Sequence, residues 1–429
     1  MSFVNSKVRV AVAIVSAAAL AVTMAGCSGS GSGKTTVVWS TWGTPDELTR
    51  YQEFDKQFME DHPTINVVLQ PVADYSDYHT KLLAGLASGT APDVFYIGDD
   101  KIGQFVSSSA LMPLTSLMNS SASETKPSDF PEGLFGAAIK GDEIYAAPND
   151  SNPDALWYDK VALEKAGITD DPATLAAEGK WTTATYLEMN AKLKAAGLTG
   201  SMFWNYWSTH YSWISSQGGT PFDSSGNFVG NTDPATVSAM EVLAEQFQNK
   251  TFVVADTLPS GNGADAIFAT HKAGFLVQGR YTIGTVKAAG DPENYDIAPW
   301  PTPTGEAAPT GTAVSYLAIN AKTDVKSAAF TFWTSFLSAA GQTFRLQGGG
   351  NAVPSINGAD DVVLDGYPEH AQTLLDMREI GFEDPVTEGS VPGLSSDISA
   401  KMLQLYQGKA TTQATLDDIA TMIQAKTGN

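Results

Sequence analysis

The alternation of strand and helix patterns after residue 34 is the feature that most constrains the fold. A strand is predicted over the β-branched run "TTVVWSTWG", and an amphipathic helix over "DELTRYQEFDKQFMEDHP", which ends at Pro63. A second strand is predicted over "INVVLQPV", and a second helix leads to a buried strand at residues 94–97. Strands that alternate with helices are typical of an α/β fold with a parallel sheet. The first part of the chain is therefore expected to form such a sheet.

The rest of the chain changes pattern twice. From Trp157 to about Lys287 the apolar spacing is mostly helical, "AVSYLAINA" then predicts a return to strand, and the tail is helical from about Asp397. About 400 residues are too many for one hydrophobic core, so two domains are expected. We predict two lobes joined by more than one crossing of the chain. The first lobe comprises residues 35–147 and 302–345, and the second comprises residues 148–301 and 346–429.

The N-terminal segment has the features of a secretory signal. A positively charged start precedes an apolar run, and small residues precede Cys27, the only cysteine of the chain. The stretch Met24-Ala25-Gly26-Cys27 resembles a bacterial lipobox, which implies cleavage of residues 1–26 as a signal peptide and lipidation of Cys27. The Gly/Ser tract of residues 27–34 is then a flexible tether. A plain cleaved signal and an uncleaved anchor helix are the alternatives.

The formal net charge of -22 limits the class of partner. Nucleic acids require a basic face, so a chain this acidic is not expected to bind them. The same charge argues against anionic lipid surfaces and anionic substrates, whereas it suits a neutral or cationic ligand.

The sequence carries no recognised catalytic or metal-binding motif. The stretch "SGSGSGKTT" has Ser28 where a phosphate-binding loop requires glycine, and neither G-x-S-x-G nor H-E-x-x-H occurs. The five histidines lie far apart in the sequence, so neither a metal site nor a cofactor is expected. Asp99 and Asp100 follow a buried strand, where they could serve in acid–base chemistry, as a solvated turn or helix cap, or as acceptors for ligand hydroxyls.

The densest local signal is aromatic. Six large rings fall within the eleven residues 203–213, interleaved with Asn205 and His210. A buried helix also uses large rings, so each ring has a structural alternative. Rings mixed with polar groups are typical of a cleft for a partly apolar ligand, and sugars fit such a cleft because their C–H faces pack on rings.

Several segments, taken in order, resemble one family. They are "SGTAPDVFYIGDD", "IYAAPNDSNPDALWYDKVALEKAGI", "KWTTATYLEMNAKLKAAG", "IFATHKAGFLVQGRYTIGTV", "YDIAPWPTPTG" and "SYLAINAKTDVKSAAFTFWTSFLSAAGQTFRLQGGGNAVPS". The ordered set extends over essentially everything after Lys34 and is similar to the extracellular solute-binding proteins of ABC transporters, most of all to their sugar-binding branch. The resemblance implies an α/β fold of the type II periplasmic-binding-protein class. Such a fold has two lobes, each a sheet flanked by helices, with the ligand cleft between them.

The resemblance also implies which residues bind the ligand. In the family these residues come from the loop after the first strand, the end of the "APDV" strand, the hinge segment, the aromatic run and a G-x-W element. The matching positions here are Trp42, Asp99, Asp100, Asn149, Asp150, Trp204, Trp207, Arg280 and Tyr281, together with Gly311 and Asn351. Asp100 is assigned as the main acid. The G-x-W element reads Gly279-Arg280-Tyr281, so Tyr281 takes the stacking position and Arg280 adds a donor.

The function implied is that of a non-catalytic receptor. It captures a neutral mono- or oligosaccharide by hinge closure and delivers it to the permease of an ABC importer. It does so as a monomer tethered by lipid to the outer face of the cytoplasmic membrane. A secreted carbohydrate-active enzyme and a binding protein for another solute, such as a polyamine, are the alternatives. An enzyme of that class requires two carboxylates that face each other across the sugar.

Overall fold

The structure, a computed structural model, describes residues 33–43, 45–72, 75–259 and 263–427. The predicted signal peptide and Cys27 lie outside the described residues. None of the helices in the described ranges combines the length and the hydropathy that a membrane crossing requires.

The strands of the described ranges form two large sheets and one short hairpin. They are β1 (Thr35–Thr41), β2 (Ile65–Pro71), β3 (Val94–Gly98), β4 (Ile139–Lys140), β5 (Glu143–Ile144), β6 (Ala146–Pro153), β7 (Ala155–Asp159), β8 (Thr199–Phe203), β9 (Phe252–Val254), β10 (Ala273–Gln278), β11 (Tyr295–Ala298) and β12 (Thr312–Ile319).

Helices cover the faces of both large sheets. They are α1 (Pro45–Asp61), α2 (Tyr75–Ser88), α3 (Asp99–Ser107), α4 (Thr115–Met118), α5 (Lys160–Lys165), α6 (Pro172–Ala177), α7 (Thr183–Ala195), α8 (Trp207–Ser216), α9 (Pro234–Gln248), α10 (Gly263–Phe268), α11 (Thr282–Ala289), α12 (Lys326–Leu337), α13 (Ala339–Leu346), α14 (Asp361–Leu364), α15 (Gln372–Ile380), α16 (Val386–Ser390), α17 (Leu394–Tyr406) and α18 (Thr412–Thr427).

The first sheet has the strand order β2-β1-β3-β12-β6. Strand β1 pairs in parallel with β2 and β3, and β12 runs antiparallel between β3 and β6. The predicted parallel start of the chain is therefore confirmed, and the predicted return strand completes the same sheet. Trp39, Phe95 and Trp333 belong to the core on this sheet, and the body built on it is the first lobe.

The second sheet has the strand order β11-β7-β10-β8-β9. Strand β8 is parallel to β9 and β10, whereas β7 is antiparallel to β10 and β11. The helices predicted for the middle of the chain are present as α5, α7 and α9, but the strands between them were missed. Strands β7 and β10 are buried along their whole length, so they read as continuous apolar runs without alternation. The body built on this sheet is the second lobe, and it has its own core.

The chain crosses between the lobes more than once, as predicted. It leaves the first sheet at the end of β6, enters β7 after Asp154, and returns between β11 and β12. The segment from Leu346 to Val362 then contributes side chains to both cores. The predicted boundary at residues 147/148 falls inside β6, which pairs in the first sheet up to Pro153. The first sheet therefore extends six residues further than the predicted lobe.

Candidate functional site

A cavity of about 1090 Å³ lies between the two sheets. It sits where strands of both lobes end, since Trp42 follows β1, Asp99 follows β3 and Tyr281 comes soon after β10. Ligands of α/β proteins bind at the carboxyl ends of strands, so the position alone makes this cavity the candidate site. Its wall includes residues of both lobes and of the segment that joins them.

Trp42 presents a fixed ring to the cavity. The rings of Tyr75, Tyr78 and Tyr96 contact it edge to face, with centroid distances of 4.9, 5.2 and 5.6 Å. Trp42 itself is half-buried, so part of the indole remains accessible. A ring held in this way needs little reorganisation to pack against a ligand.

Asp99 is the acid that lines the cavity. Helix α3 begins directly at the end of β3, and the junction is tight, because a Cβ on Gly98 would lie 1.7 Å from the Tyr75 hydroxyl oxygen. Asp99 is buried, and its Oδ1 accepts a hydrogen bond of 3.0 Å from the hydroxyl of Tyr206 in the second lobe. Burial, reinforced by the charge of Asp100, raises the pKa of Asp99 to about 7. The two lobes therefore meet at this carboxyl group.

Asp100, the acid favoured from the sequence, faces a different environment. Its Oδ1 accepts a hydrogen bond of 2.5 Å from the Tyr75 hydroxyl, and its Oδ2 lies 2.7 Å from the Lys101 ammonium. It is not part of the cavity wall. Consecutive residues of a helix point about 100° apart, so the first turn of α3 turns one acid toward the cavity and its neighbour away. Of the two predicted acids, only Asp99 is placed in the cavity wall.

Strand β6 places Asp150 in the cavity wall and Asn149 behind it. Asn149 is fully buried, and its Nδ2 donates a hydrogen bond of 2.8 Å to the carboxylate of Asp150. Burial raises the pKa of Asp150 to about 6, although the nearby positive charge of Arg345 opposes that shift. Of this predicted pair, Asp150 can meet a ligand and Asn149 orients it.

Tyr281 is the exposed ring of the second lobe. Its segment is fixed by two hydrogen bonds of 3.0 Å, from the Trp157 indole to the Gly279 carbonyl and from the Arg280 amide to Asn152 Oδ1. The side chain of Tyr281 is 46% exposed and forms part of the cavity wall. A large exposed ring in a concave site is available to stack on a ligand, which is the role predicted for it.

Arg280 does not reach the cavity. Its side chain is fully buried, and its terminal amino groups donate hydrogen bonds to the carbonyls of Gly350, Ala352 and Val362. These acceptors belong to the segment that joins the lobes. The guanidinium therefore holds that segment against β10 and is not placed as the ligand donor that the sequence predicted.

The aromatic run divides between a second cavity and the core. A smaller cavity of about 230 Å³ adjoins the first and shares Asn152, Tyr206 and Tyr281 with it. Trp204 lines this smaller cavity, and its indole nitrogen is buried with no hydrogen-bond partner among the described residues. Trp207 is 1% exposed, belongs to the core of the second lobe and lines neither cavity. Of the two rings predicted to bind ligand, only Trp204 is placed to do so.

The two remaining predicted residues, Gly311 and Asn351, lie in different surroundings. Gly311 is buried, and its amide donates a hydrogen bond of 2.8 Å to the Ser212 hydroxyl, so it joins a crossing segment to α8 and does not line the cavity. Asn351 is in the cavity wall, and its side-chain amide donates to the carboxylate of Glu47 on α1. Asn351 therefore connects the wall of the first lobe to the joining segment.

Several cavity residues were missed from the sequence. They are Glu47, Arg50, Asn152, Tyr206 and Lys287. Tyr206 belongs to the aromatic run, so that run was a usable signal for it. Glu47 and Arg50 on α1 and Lys287 on α11 lie in ordinary amphipathic patterns, so the sequence does not distinguish them from charged residues on a solvated helix face.

Asp154 lies in the first crossing between the lobes and is hydrogen-bonded to the second crossing and to helix α8. Its amide donates to the carbonyl of Gly311 at 2.9 Å, and its own carbonyl accepts from the Trp300 indole at 2.5 Å. Its carboxylate accepts hydrogen bonds from Ser208 at 3.1 Å and Thr209 at 2.8 Å. Burial raises the pKa of Asp154 to about 6. Asp154 thus joins two crossings of the chain to each other and to the second lobe.

One group of carboxylate and imidazole side chains in the described ranges has metal-ligand spacing. It consists of Asp296, Glu369 and His370. The Lys160 ammonium lies 3.2 Å from Asp296 and 3.5 Å from Glu369 and already supplies a positive charge there. None of these residues lines the cavity between the lobes.

Comparison with known proteins places the chain in context. The model of the family described as bacterial extracellular solute-binding protein matches residues 42–343. The maltotriose-binding protein of Pyrococcus abyssi is 25% identical over 265 residues, which is 62% of this chain and 53% of that protein. The chain thus spans about half the length of that curated relative.

Solved structures share the whole architecture. An ABC substrate-binding protein from Listeria monocytogenes, in complex with cycloalternan, superposes with a TM-score of 0.80 at 20% identity and covers 92% of this chain and 99% of its own. The GacH receptor of Streptomyces glaucescens, studied with acarbose, gives a TM-score of 0.77 at 19% identity, with coverage of 92% and 99%. The expected fold, with two sheet-and-helix lobes and a cleft between them, is confirmed.

Proposed function

The chain belongs to the family of bacterial extracellular solute-binding proteins, and on that premise we propose that its cleft captures a neutral oligosaccharide. The observation that carries the proposal is the composition of the cavity wall. The first lobe contributes the indole of Trp42, which tyrosine rings hold in place, and the second lobe contributes the exposed ring of Tyr281. The acids Asp99 and Asp150 also line this cavity. Rings cover the C–H faces of a sugar, and carboxyl groups accept hydrogen bonds from its hydroxyls.

The size of the site favours several sugar units over one. A cavity of about 1090 Å³ is slightly larger than the range of roughly 300–1,000 Å³ that is usual for ligand pockets. The adjoining cavity of about 230 Å³ lengthens it toward the second lobe. The buried indole N–H of Trp204 there is a donor suited to a further sugar hydroxyl. Relatives named for maltotriose and solved with cycloalternan or acarbose are consistent with a ligand of this length.

The wall of the cavity is shared between the two lobes, so the ligand can be captured when the lobes close around it. A ligand that touches both lobes binds the closed arrangement better than the open one, and only this difference can drive the change. The Tyr206 hydroxyl already meets Asp99 across the cleft at 3.0 Å, so the closed arrangement has a protein contact at its centre. Asp154 keeps two of the crossing segments together, and joined to α8, while the lobes move. Such hinge motion is an established way for two-lobed proteins to enclose a ligand.

Delivery to a membrane permease and anchoring through Cys27 complete the proposed role. The lipobox-like stretch before Cys27 and the Gly/Ser tract after it support a mature protein lipidated at Cys27 on the outer face of the cytoplasmic membrane. A tether of Gly and Ser leaves the folded lobes free to meet an ABC importer in the same membrane. The protein acts as a monomer and without a cofactor, and it releases its ligand unchanged.

A sugar panel tests the proposed function. The purified protein is mixed with glucose, maltose, maltotriose, a cyclic glucose oligomer and spermidine, and the unfolding temperature is recorded. An oligosaccharide is expected to raise that temperature, since a ligand that binds only the folded state stabilises it by mass action. Chromatography of the mixture after long incubation is expected to return the sugar intact. A response to spermidine alone, a response to no sugar, or a steady appearance of product contradicts the proposal.

A further inference from the structure

Four carboxyl groups lie buried behind the cavity, where the first lobe meets the C-terminal part of the chain. This acid cluster consists of Asp99 at the start of α3 and of Glu383, Asp384 and Glu388 in and before α16. Asp99, Asp384 and Glu388 are 6%, 6% and 2% exposed. The cluster is thus removed from water while one of its members lines the ligand cavity.

The two elements that carry the cluster are in close backbone contact. A Cβ on Gly103 of α3 would lie 2.8 Å from the Cα of Ser390 and 3.0 Å from the carbonyl oxygen of Gly389. A Cβ on Gly389 would in turn lie 2.7 Å from an oxygen of Asp384. The absence of side chains at these glycines permits the approach, so there is little room for α16 to shift without separating from α3.

Tyrosine hydroxyls donate to three of the four acids. Tyr316 donates to Glu383 and Tyr211 donates to Glu388, each at 2.5 Å, and Tyr206 donates to Asp99 at 3.0 Å. Asp384 differs, because both of its carboxyl oxygens are buried and neither has a hydrogen-bond partner among the described residues. A buried carboxylate without any partner is among the most costly arrangements in a protein interior.

No cation in the described part of the chain compensates the cluster. The groups that face it from the surrounding elements are Tyr75 and His79 on α2, Asp100 and Lys101 on α3, Tyr206 and Tyr211 at α8, and Tyr316 on β12. The single ammonium among them, Lys101, is paired with Asp100 at 2.7 Å. Burial lowers the pKa of His79 and favours its neutral form. Four charges of one sign cannot all be held here, so the cluster must bind protons.

The direction of the pKa shifts agrees with this geometry. Burial raises the pKa of Asp99 and of Glu388 to about 7, and burial with the neighbouring acids raises the pKa of Asp384 and Glu383 well above the usual range. When the folded state raises the pKa of an acid, the stability contributed by its protonated form is fully present below its unfolded pKa. That stability is lost as the pH rises through the folded pKa.

We propose that ligand capture is proton-linked through the acid cluster: protons hold α16 against α3 and keep Asp99 in place for the ligand. The inference rests on the proposed function, because it concerns regulation of the same cleft. When the cluster loses protons, its carboxylates repel one another, α16 separates from α3, and the first residue of α3 loses its support. Affinity for the sugar is therefore higher in mildly acidic than in alkaline medium.

The variants Asp384→Asn and Glu388→Gln, alone and combined, test the link. Each replaces an acid by the neutral amide closest in shape to its protonated form, and neither residue lines the cavity. Titration calorimetry with the sugar found in the panel is run at about pH 6 and about pH 8.5, on either side of a folded pKa near 7. Between these two pH values the unmodified protein is expected to lose about tenfold in affinity, which corresponds to a rise of about one unit in the pKa of the cluster when the sugar binds. The double variant is expected to lose less than about threefold. Equal losses in both proteins overturn the proposal.

Asp55→Asn is the matched control. Asp55 is also a buried acid whose pKa burial raises to about 7, but it accepts its hydrogen bonds from the Trp39 indole and lies outside the cavity wall. This variant is expected to change how stability depends on pH and to leave the pH dependence of affinity unchanged. If it removes the affinity change as well as the double variant does, the acid cluster is not the element responsible.

The number of protons bound together with the sugar is a direct test of the link. Calorimetry of the unmodified protein near pH 7 in buffers of different ionisation enthalpy counts the protons taken up with the sugar, and a count of zero overturns the link.

Thermal unfolding without ligand, from about pH 5 to about pH 8, tests the cluster alone. The double variant is expected to lose less stability over that range than the unmodified protein, and an unchanged slope overturns the role of the cluster. A failed sugar panel counts against the proposed function and leaves this last readout intact.

Discussion

The two lobes present different surfaces to the same cavity. In the first lobe Asp99 follows the end of β3, Asp150 lies within β6, both side chains are buried, and Trp42 is held by three tyrosine rings. In the second lobe Tyr281 stands 46% exposed. The first lobe therefore offers fixed acceptors, whereas the second offers a ring that is still exposed. On the proposed function, we expect the sugar to form its hydrogen bonds to the first lobe before closure and to stack on Tyr281 during closure.

The largest effect is expected inside the second lobe, from Trp207→Ala. This ring is 1% exposed in the core, so its removal leaves a cavity and is expected to lower the free energy of unfolding by about 3–5 kcal/mol. Chemical denaturation measures the change. Affinity for sugar, measured at a temperature where the variant is folded, is expected to fall far less than in the variants Asp99→Ala and Tyr281→Ala. A variant of unchanged stability that has lost affinity would show that Trp207 contacts the ligand and is not a core residue.

Asp99→Ala tests the prepared acceptor of the first lobe. Removing one partner of a buried hydrogen bond leaves the other unpaired at a cost of about 1–3 kcal/mol, so the variant is expected to bind sugar about 10 to 100 times more weakly. Titration calorimetry measures the loss, and circular dichroism confirms the fold. Unchanged affinity in a folded variant shows that the first lobe does not supply the acceptor.

Tyr281→Ala tests the ring of the second lobe. Loss of stacking and of buried apolar area is expected to weaken binding by about tenfold, or about 1.4 kcal/mol. Tyr281→Trp is the control, since a larger ring at the same place is expected to retain affinity. Because the side chain is exposed, neither variant is expected to change the unfolding temperature. Unfolding of either variant identifies Tyr281 as structural.

Asp100→Ala is expected to have the smallest effect. Its carboxylate is occupied by Tyr75 and Lys101 outside the cavity, and an ion pair near the surface contributes about 0–1 kcal/mol. Affinity is expected to change by less than about threefold, in contrast to the adjacent Asp99→Ala. An equal loss in the two variants shows that the first turn of α3 does not separate their roles.

The sequence predicts the first sheet well and the second poorly, for a physical reason. Around β1 and β2 the apolar pattern switches between the periods of strand and helix, so the elements can be read directly. Strands β7 and β10 are covered on both faces, and a continuous apolar run does not distinguish a strand from a buried helix. Chain length and the change of pattern along the chain predict the two lobes without these strands, and the ordered family segments add the fold class.

The candidate site was predicted in type but only partly in residues. Trp42, Asp150, Trp204, Tyr281 and Asn351 line the two adjoining cavities, as does Asp99. The choice between adjacent acids depends on the residue at which α3 begins, which the sequence does not fix to within one position. Arg280 lies outside the cavity wall because its guanidinium bonds to carbonyls 70 to 82 residues away, and the local sequence gives no sign of these acceptors.

The hydrogen bonds around Asp154 also bear on how fast a ligand leaves. Two bodies joined by independent strands can shear, twist and bend, but here two of the crossing segments are fastened to one residue through its amide and its carbonyl, and its carboxylate fastens them to α8. Fastening at one point opposes sliding of these two segments, so in the proposed closure we expect rotation to be the easier motion. We therefore expect the residence time of a bound sugar to depend on how often that rotation opens the cleft, and we expect changes at Asp154, which also lines the smaller cavity, to alter the dissociation rate.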